Sequence, residues 1–84
     1  MRVLGTLNKH PKIATTIFHM NDKYIIRFEA GNMEQIFKVL KSEVKGMEAI
    51  DLLLTEIFIN RVIERFNEMF LSFREATQAI TQIP

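Results

Sequence analysis

The stretch IATTIFHMNDKYIIRFEAGNMEQIFKVLK, residues 13–41, decides the fold of this chain. It holds three runs rich in β-branched and aromatic residues, which is the composition of β-strands: IATTIFHM (13–20), KYIIRFEA (23–30) and MEQIFKVLK (33–41). Asn21-Asp22 and Gly31-Asn32 separate the runs, and each pair suits a two-residue turn. The sequence therefore predicts a three-stranded antiparallel β-meander.

Two-residue turns fix which residues of neighbouring strands lie opposite each other. The first turn places Ile17 opposite Ile26, and the second places Ile26 opposite Phe37. One predicted face is almost wholly apolar and should face the core: Ile13, Thr15, Ile17, Tyr24, Ile26, Phe28, Phe37 and Val39. The second face mixes apolar and charged side chains: Phe18, Met20, Lys23, Ile25, Arg27, Glu29, Glu34, Ile36, Lys38 and Leu40.

The flanking segments complete an α+β fold in a single domain spanning residues 1–84. Residues 1–12 show no period and are predicted to be irregular, although Arg2-Val3-Leu4 could add a short edge strand. Residues 47–80 are predicted to be helical. A short helix, MEAIDLLLT, is followed by a long amphipathic C-terminal helix without Gly or Pro, which Thr55 can cap. Both helices are expected on one face of the sheet.

The long helix carries an apolar stripe at heptad spacing: Ile59, Val62, Phe66, Met69, Phe73, Ala76 and Ile80. A helix that packs on a sheet needs one such stripe, so core packing alone explains most of it. However, 25 helical residues span roughly 38 Å, whereas a compact domain of this size is about 30 Å across and strands of eight residues span roughly 27 Å. The last one or two turns of the helix are therefore expected to overhang the rest of the domain by roughly 8 Å.

Apolar side chains on this overhang and on the second sheet face favour a small protein–protein interaction or assembly module. The predicted interface residues are Phe18, Ile25, Ile36, Leu40, Phe70, Leu71 and Phe73. A homodimer through the helix, the second sheet face, or both would cover them, and another protein is the alternative partner. The short helix and residues 1–12 could instead cover these patches within one chain.

Motifs for catalysis are missing from the sequence. The chain has no cysteine and two histidines, His10 and His19, and it contains no Gly-rich phosphate loop and no nucleophile motif. Glu64 and Glu68 lie four residues apart on the long helix, but no histidine lies near them in the sequence. We therefore expect no enzyme activity, no cofactor and no metal site.

The charge pattern leaves nucleic-acid binding as the alternative function. The net charge is only +1, but residues 1–45 hold eight Lys/Arg against four Asp/Glu. Basic residues of the sheet and the Phe18 ring could contact a nucleic acid. Against this, Glu29 and Glu34 lie on the same face. In addition, β-sheets that bind RNA usually present two or three aromatic rings, whereas this face has one.

No segment predicts contact with a membrane. The chain has no run of about 18 apolar residues, the length that a transmembrane helix needs. Its first ten residues, MRVLGTLNKH, do not resemble a secretory signal, and the polar side of the long helix is slightly acidic rather than basic. We therefore expect a cytoplasmic protein.

The run KYIIRFEAGNMEQIFKV followed by EIFINRVIERFNEMFLSFREA resembles a small family of uncharacterised proteins of Bacteroidetes-type bacteria. The shared pattern is a β-hairpin run followed by a helix with an ERFxEM core, here residues 64–69, and it covers about residues 11–80. The resemblance implies a cytoplasmic bacterial protein. It carries no catalytic motif and implies no particular activity.

Overall fold

The chain folds as an antiparallel sheet of four strands followed by a short and a long helix, in a computed structural model that describes residues 2–6 and 9–81. The strands are β1 (Arg2–Thr6), β2 (Ala14–Met20), β3 (Lys23–Ala30) and β4 (Met33–Leu40), and the sheet order is β1-β2-β3-β4. The helices are α1 (Gly46–Leu53) and α2 (Glu56–Thr81). The predicted α+β class, with a meander followed by a short and a long helix, is confirmed.

The predicted number of strands is wrong by one, because residues 2–6 form an edge strand on β2. Arg2 lies opposite His19, and the register shifts between Val3 and Gly5. Such a bulge interrupts the alternation of side chains between the two faces. In a strand of only five residues, the sequence then shows no alternation of apolar and polar residues, and the pattern that predicts a strand is absent.

The register of the other three strands is the one that two-residue turns predict. Ile17 lies opposite Ile26, and Ile26 lies opposite Phe37. Asn21 and Gly31 begin the two turns with φ of 54° and 60°, the left-handed conformation that tight hairpin turns require at this position. The predicted division of the sheet into a core face and a second face is therefore confirmed.

The core lies between the first sheet face and the two helices. Its buried apolar residues are Ile13, Ile17, Ile26 and Phe28 from the sheet side and Ile50, Leu54, Ile59, Val62 and Phe66 from the helical side. Phe28, Phe37 and Phe58 meet edge-to-face, with ring centroids 5.3 to 5.9 Å apart. The Gln35 amide Nε2 donates to the Val62 carbonyl at 2.9 Å and ties β4 to α2.

The helical conformation is interrupted between α1 and α2 at Leu54-Thr55. The Thr55 hydroxyl accepts a hydrogen bond from the Phe58 N–H at 3.1 Å, so Thr55 is the N-cap of α2, as predicted. Leu54 turns inward and is 4% exposed, which anchors this junction in the core. The direction of α2 is therefore fixed by a cap and a buried residue.

The overhang of α2 is longer than predicted. Between residues 56 and 80, Phe66 is the last buried residue. The Phe70 ring lies against the β3–β4 turn, since a Cβ at Gly31 would meet its Cζ at 3.4 Å. Beyond that contact the helix continues for about 17 Å, or three turns. Ile50 and Leu54 occupy part of the same sheet face, and the longer overhang follows because less of that face remains for α2.

Candidate functional site

Two surfaces with apolar side chains have no other strand or helix of the described residues packed on them. We name the first the distal stripe; it consists of Phe70, Phe73, Ala76 and Ile80 on α2. We name the second the sheet hollow; it is lined by Phe18, Met20, Ile25, Arg27, Ile36 and Lys38 on the second sheet face. Neither α1 nor β1 covers them, because α1 packs into the core and β1 extends the sheet at its edge.

The distal stripe continues the core side of α2 past the end of the sheet. Phe70 is 38% exposed, Phe73 50% and Ile80 67%. They follow the buried Phe66 at successive spacings of four, three and seven residues, which places them on one side of a helix. Leu71 is also exposed, but residues two apart do not face the same way, so it lies on the other side from Phe73.

The positions that flank the distal stripe carry no charge. They are Ser72, Thr77 and Ala79, whereas contact helices often have Glu or Lys at such positions. The Ser72 hydroxyl donates to the Met69 carbonyl at 3.1 Å, and the Thr77 hydroxyl donates to the Arg74 carbonyl at 2.9 Å. Because both hydroxyl donors already have acceptors within the helix, another apolar surface can cover them without breaking a hydrogen bond to water.

The sheet hollow brings together three of the predicted interface residues. Phe18 and Ile25 are each 7% exposed and form its floor, and the exposed Ile36 stands at its rim. The hollow encloses about 280 Å³. Leu40 lies on the same face and is exposed, but it does not line the hollow.

The charged side chains of the hollow are both cationic. The Arg27 guanidinium carbon lies 4.6 Å from the centroid of the Phe18 ring, a cation–π contact. The Arg27 Nε lies 3.0 Å from Glu29 Oε1, but no aligned hydrogen bond forms there. No described residue forms an ion pair with Lys38. Because Arg27 covers the Phe18 ring, that ring is not open for stacking on a nucleic-acid base.

The two histidines lie apart from each other and from both surfaces. His10 Nδ1 accepts the Lys12 backbone N–H at 3.1 Å, and His10 lines an open hollow of about 480 Å³ beside Leu54 and the start of α2. His19 Nε2 accepts from Lys41 Nζ at 3.1 Å. Within residues 2–6 and 9–81, no group of three or more His, Cys, Asp or Glu could hold a metal ion.

No helix in the described part of the chain is both long enough and apolar enough to span a membrane. Comparisons with protein-family models, with curated proteins and with solved structures found no match. The resemblance of residues 11–80 to a Bacteroidetes-type family therefore stays a prediction.

Proposed function

We propose that the protein is a small assembly module that pairs with a second copy of itself through the distal stripe of α2. The observation that carries this proposal is the stripe itself: Phe70, Phe73 and Ile80 continue the core side of the helix where the sheet no longer covers it. Contiguous exposed apolar patches of a few hundred Å² are often interaction surfaces. A second copy offers the same stripe in return, which is the self-complementarity of a two-fold contact.

Packing constraints favour an antiparallel arrangement of the two α2 helices. Up to Phe66, this side of α2 is covered by its own sheet. A parallel pair would bring the two sheets into the same space, whereas an antiparallel pair overlaps only the two overhangs. The antiparallel pair also separates the two helix C-termini, which carry partial negative charge and have no basic residue in the last turn.

The heptad spacing fixes a register for this pair. In antiparallel helix pairs, residues at the two apolar heptad positions alternate across the contact. Phe73 then packs against Ala76 of the second copy, and Met69 packs against Ile80. Each large side chain meets a smaller or flexible one, and the uncharged flanks allow the helices to approach closely.

The size of the contact predicts a reversible dimer. Aromatic side chains bury about 150–250 Å² when fully covered, so the exposed parts of Phe70, Phe73 and Ile80 amount to about 300 Å² in each copy. With the smaller flanking residues this is still less than the roughly 800 Å² per partner of a standard interface. We therefore expect dissociation in the micromolar range or above.

Light scattering over a concentration series tests the proposal. Between about 5 and 500 µM, the mass of the wild-type protein should rise from 9.8 kDa towards twice that value. Phe73→Glu places a charge in the contact and should hold the mass at 9.8 kDa at every concentration. Leu71→Glu is the matched control: it adds the same charge two residues away on the other side of the helix and should leave the dimer intact.

Two results would contradict the proposal. One is a wild-type mass that stays at 9.8 kDa up to the highest concentration. The other is a dimer that Leu71→Glu weakens as much as Phe73→Glu does. A dimer lost on substitution of Lys23 and Arg27, but kept in Phe73→Glu, would move the contact to the second sheet face.

A further inference from the structure

We infer that the sheet hollow binds a small amphipathic anion, a monocarboxylate with an apolar body. This inference does not rest on the proposed dimer. In the antiparallel pair the two sheets lie at opposite ends of the contact, so the second sheet face of each copy stays open. The hollow is therefore a separate surface with its own occupant.

The shape of the hollow favours a small ligand. Its volume of about 280 Å³ lies just below the roughly 300–1,000 Å³ that is typical of sites for drug-sized molecules, so a smaller ligand fits it. Its floor is already well packed, since Phe18 and Ile25 are each only 7% exposed. An apolar ligand body therefore makes its contacts with the rim residues Met20 and Ile36, which are 41% and 52% exposed.

The charged side chains that line the hollow favour a negatively charged ligand. Its six residues include Arg27 and Lys38 and no acidic residue. Arg27 lies opposite Ile36 and Lys38 lies opposite Ile25 in the ladder between β3 and β4, so the two cations are diagonal neighbours on one face. Two neighbouring cations repel each other, and a bound anion relieves that repulsion.

Each cation has capacity left for a ligand. Glu29 approaches Arg27 only at Nε, and no described residue bonds to the two Nη groups of the guanidinium. Lys38 is exposed and has three donor hydrogens without an acceptor among the described residues. A carboxylate can accept from both side chains, while its apolar body lies against the exposed Met20 and Ile36.

Three probes that share one aliphatic tail separate the charge from the apolar contact: octanoate, octanol and octylammonium. Each is titrated into the ¹⁵N-labelled protein, and amide shifts are followed by NMR. Octanoate should shift the amides of residues 18–20, 25–27 and 36–38 with a dissociation constant of about a millimolar. Octanol should bind more weakly at the same residues, and octylammonium should bind most weakly of the three.

Matched variants locate the two parts of the site. Lys38→Gln should weaken octanoate about two- to fivefold and leave octanol unchanged, since it removes one exposed ionic contact. Ile36→Thr should weaken both probes, because it shortens the apolar rim. Lys12→Gln removes an exposed lysine outside the hollow and should change neither.

The inference is overturned if octanoate shifts no amide of the hollow, or if its shifts lie on the distal stripe instead. It is also overturned if the three probes bind equally well, because the hollow would then be an unselective apolar surface. Loss of the dimer in Phe73→Glu leaves the octanoate titration unchanged, so the two proposals fail independently.

Discussion

Phe66 and Phe73 provide a matched pair for testing which part of α2 belongs to the core. They lie one heptad apart on the same side of one helix, but Phe66 is 2% exposed and Phe73 is 50% exposed. Phe66→Ala leaves a cavity in the buried core and should lower the free energy of unfolding by about 3–5 kcal/mol. That loss is a large part of the roughly 5–15 kcal/mol that stabilises a typical domain.

Phe73→Ala should behave differently because no part of its own chain buries Phe73 fully. At low protein concentration it should cost less than about 1 kcal/mol, the usual range for an exposed position. At high concentration the wild-type protein gains stability from association, and Phe73→Ala should lose that gain. The difference in the free energy of unfolding between Phe66→Ala and Phe73→Ala therefore depends on protein concentration.

Urea unfolding followed by circular dichroism measures both effects. With a slope of roughly 1.5 kcal/mol per M, Phe66→Ala should move the midpoint down by about 2–3 M or unfold the chain outright. The wild-type midpoint should rise between about 5 and 500 µM protein, and the Phe73→Ala midpoint should not. Equal losses for the two variants at the lowest concentration would refute the placement of the core boundary at Phe66.

Four further substitutions test individual positions of the fold. Thr15 is fully buried and its hydroxyl has no hydrogen-bond partner among residues 2–6 and 9–81, so Thr15→Val should stabilise the protein by about 1 kcal/mol; a lower melting temperature would contradict this. Gly31→Ala and Gly46→Ala each place a side chain at positive φ, and each should cost about 1–2 kcal/mol in urea unfolding. Gln35→Met removes the bond to Val62 and should cost about 0.5–1.5 kcal/mol, whereas a neutral effect would show that this bond adds nothing.

The sheet was largely predictable because its turns are short and its pattern is strict. A register slip of one residue would move Ile26 and Phe28 to the other face. The apolar pattern and the two-residue turns therefore predict the same strand register. The edge strand β1 could not be found in the same way. Its pairing depends on a bulge between Val3 and Gly5, and a bulge removes the alternation on which the prediction relies.

The sequence predicts which residues form the two candidate surfaces, but it does not predict how large each surface is. Periodicity places Phe70 and Phe73 on the core side of α2, and the register places Phe18, Ile25 and Ile36 on one face. How far α2 overhangs depends on where α1 packs, which is a tertiary contact that local pattern does not encode. The sheet hollow depends on the Arg27 side chain lying over Phe18, and a rotamer choice of this kind cannot be seen in the sequence.

The antiparallel dimer is tested most directly by one distance between two spin labels. The chain has no cysteine, so Asn60→Cys, at an exposed position of α2, attaches a single label to each copy. In the proposed register the two labels lie about 45 Å apart, from the helical rise and a helix separation of roughly 10 Å. Pulsed dipolar spectroscopy at about 500 µM should give this distance, and Phe73→Glu should abolish it. A distance of about 10–15 Å would mean a parallel pair, and no dipolar signal at all would mean that the distal stripe does not join two copies.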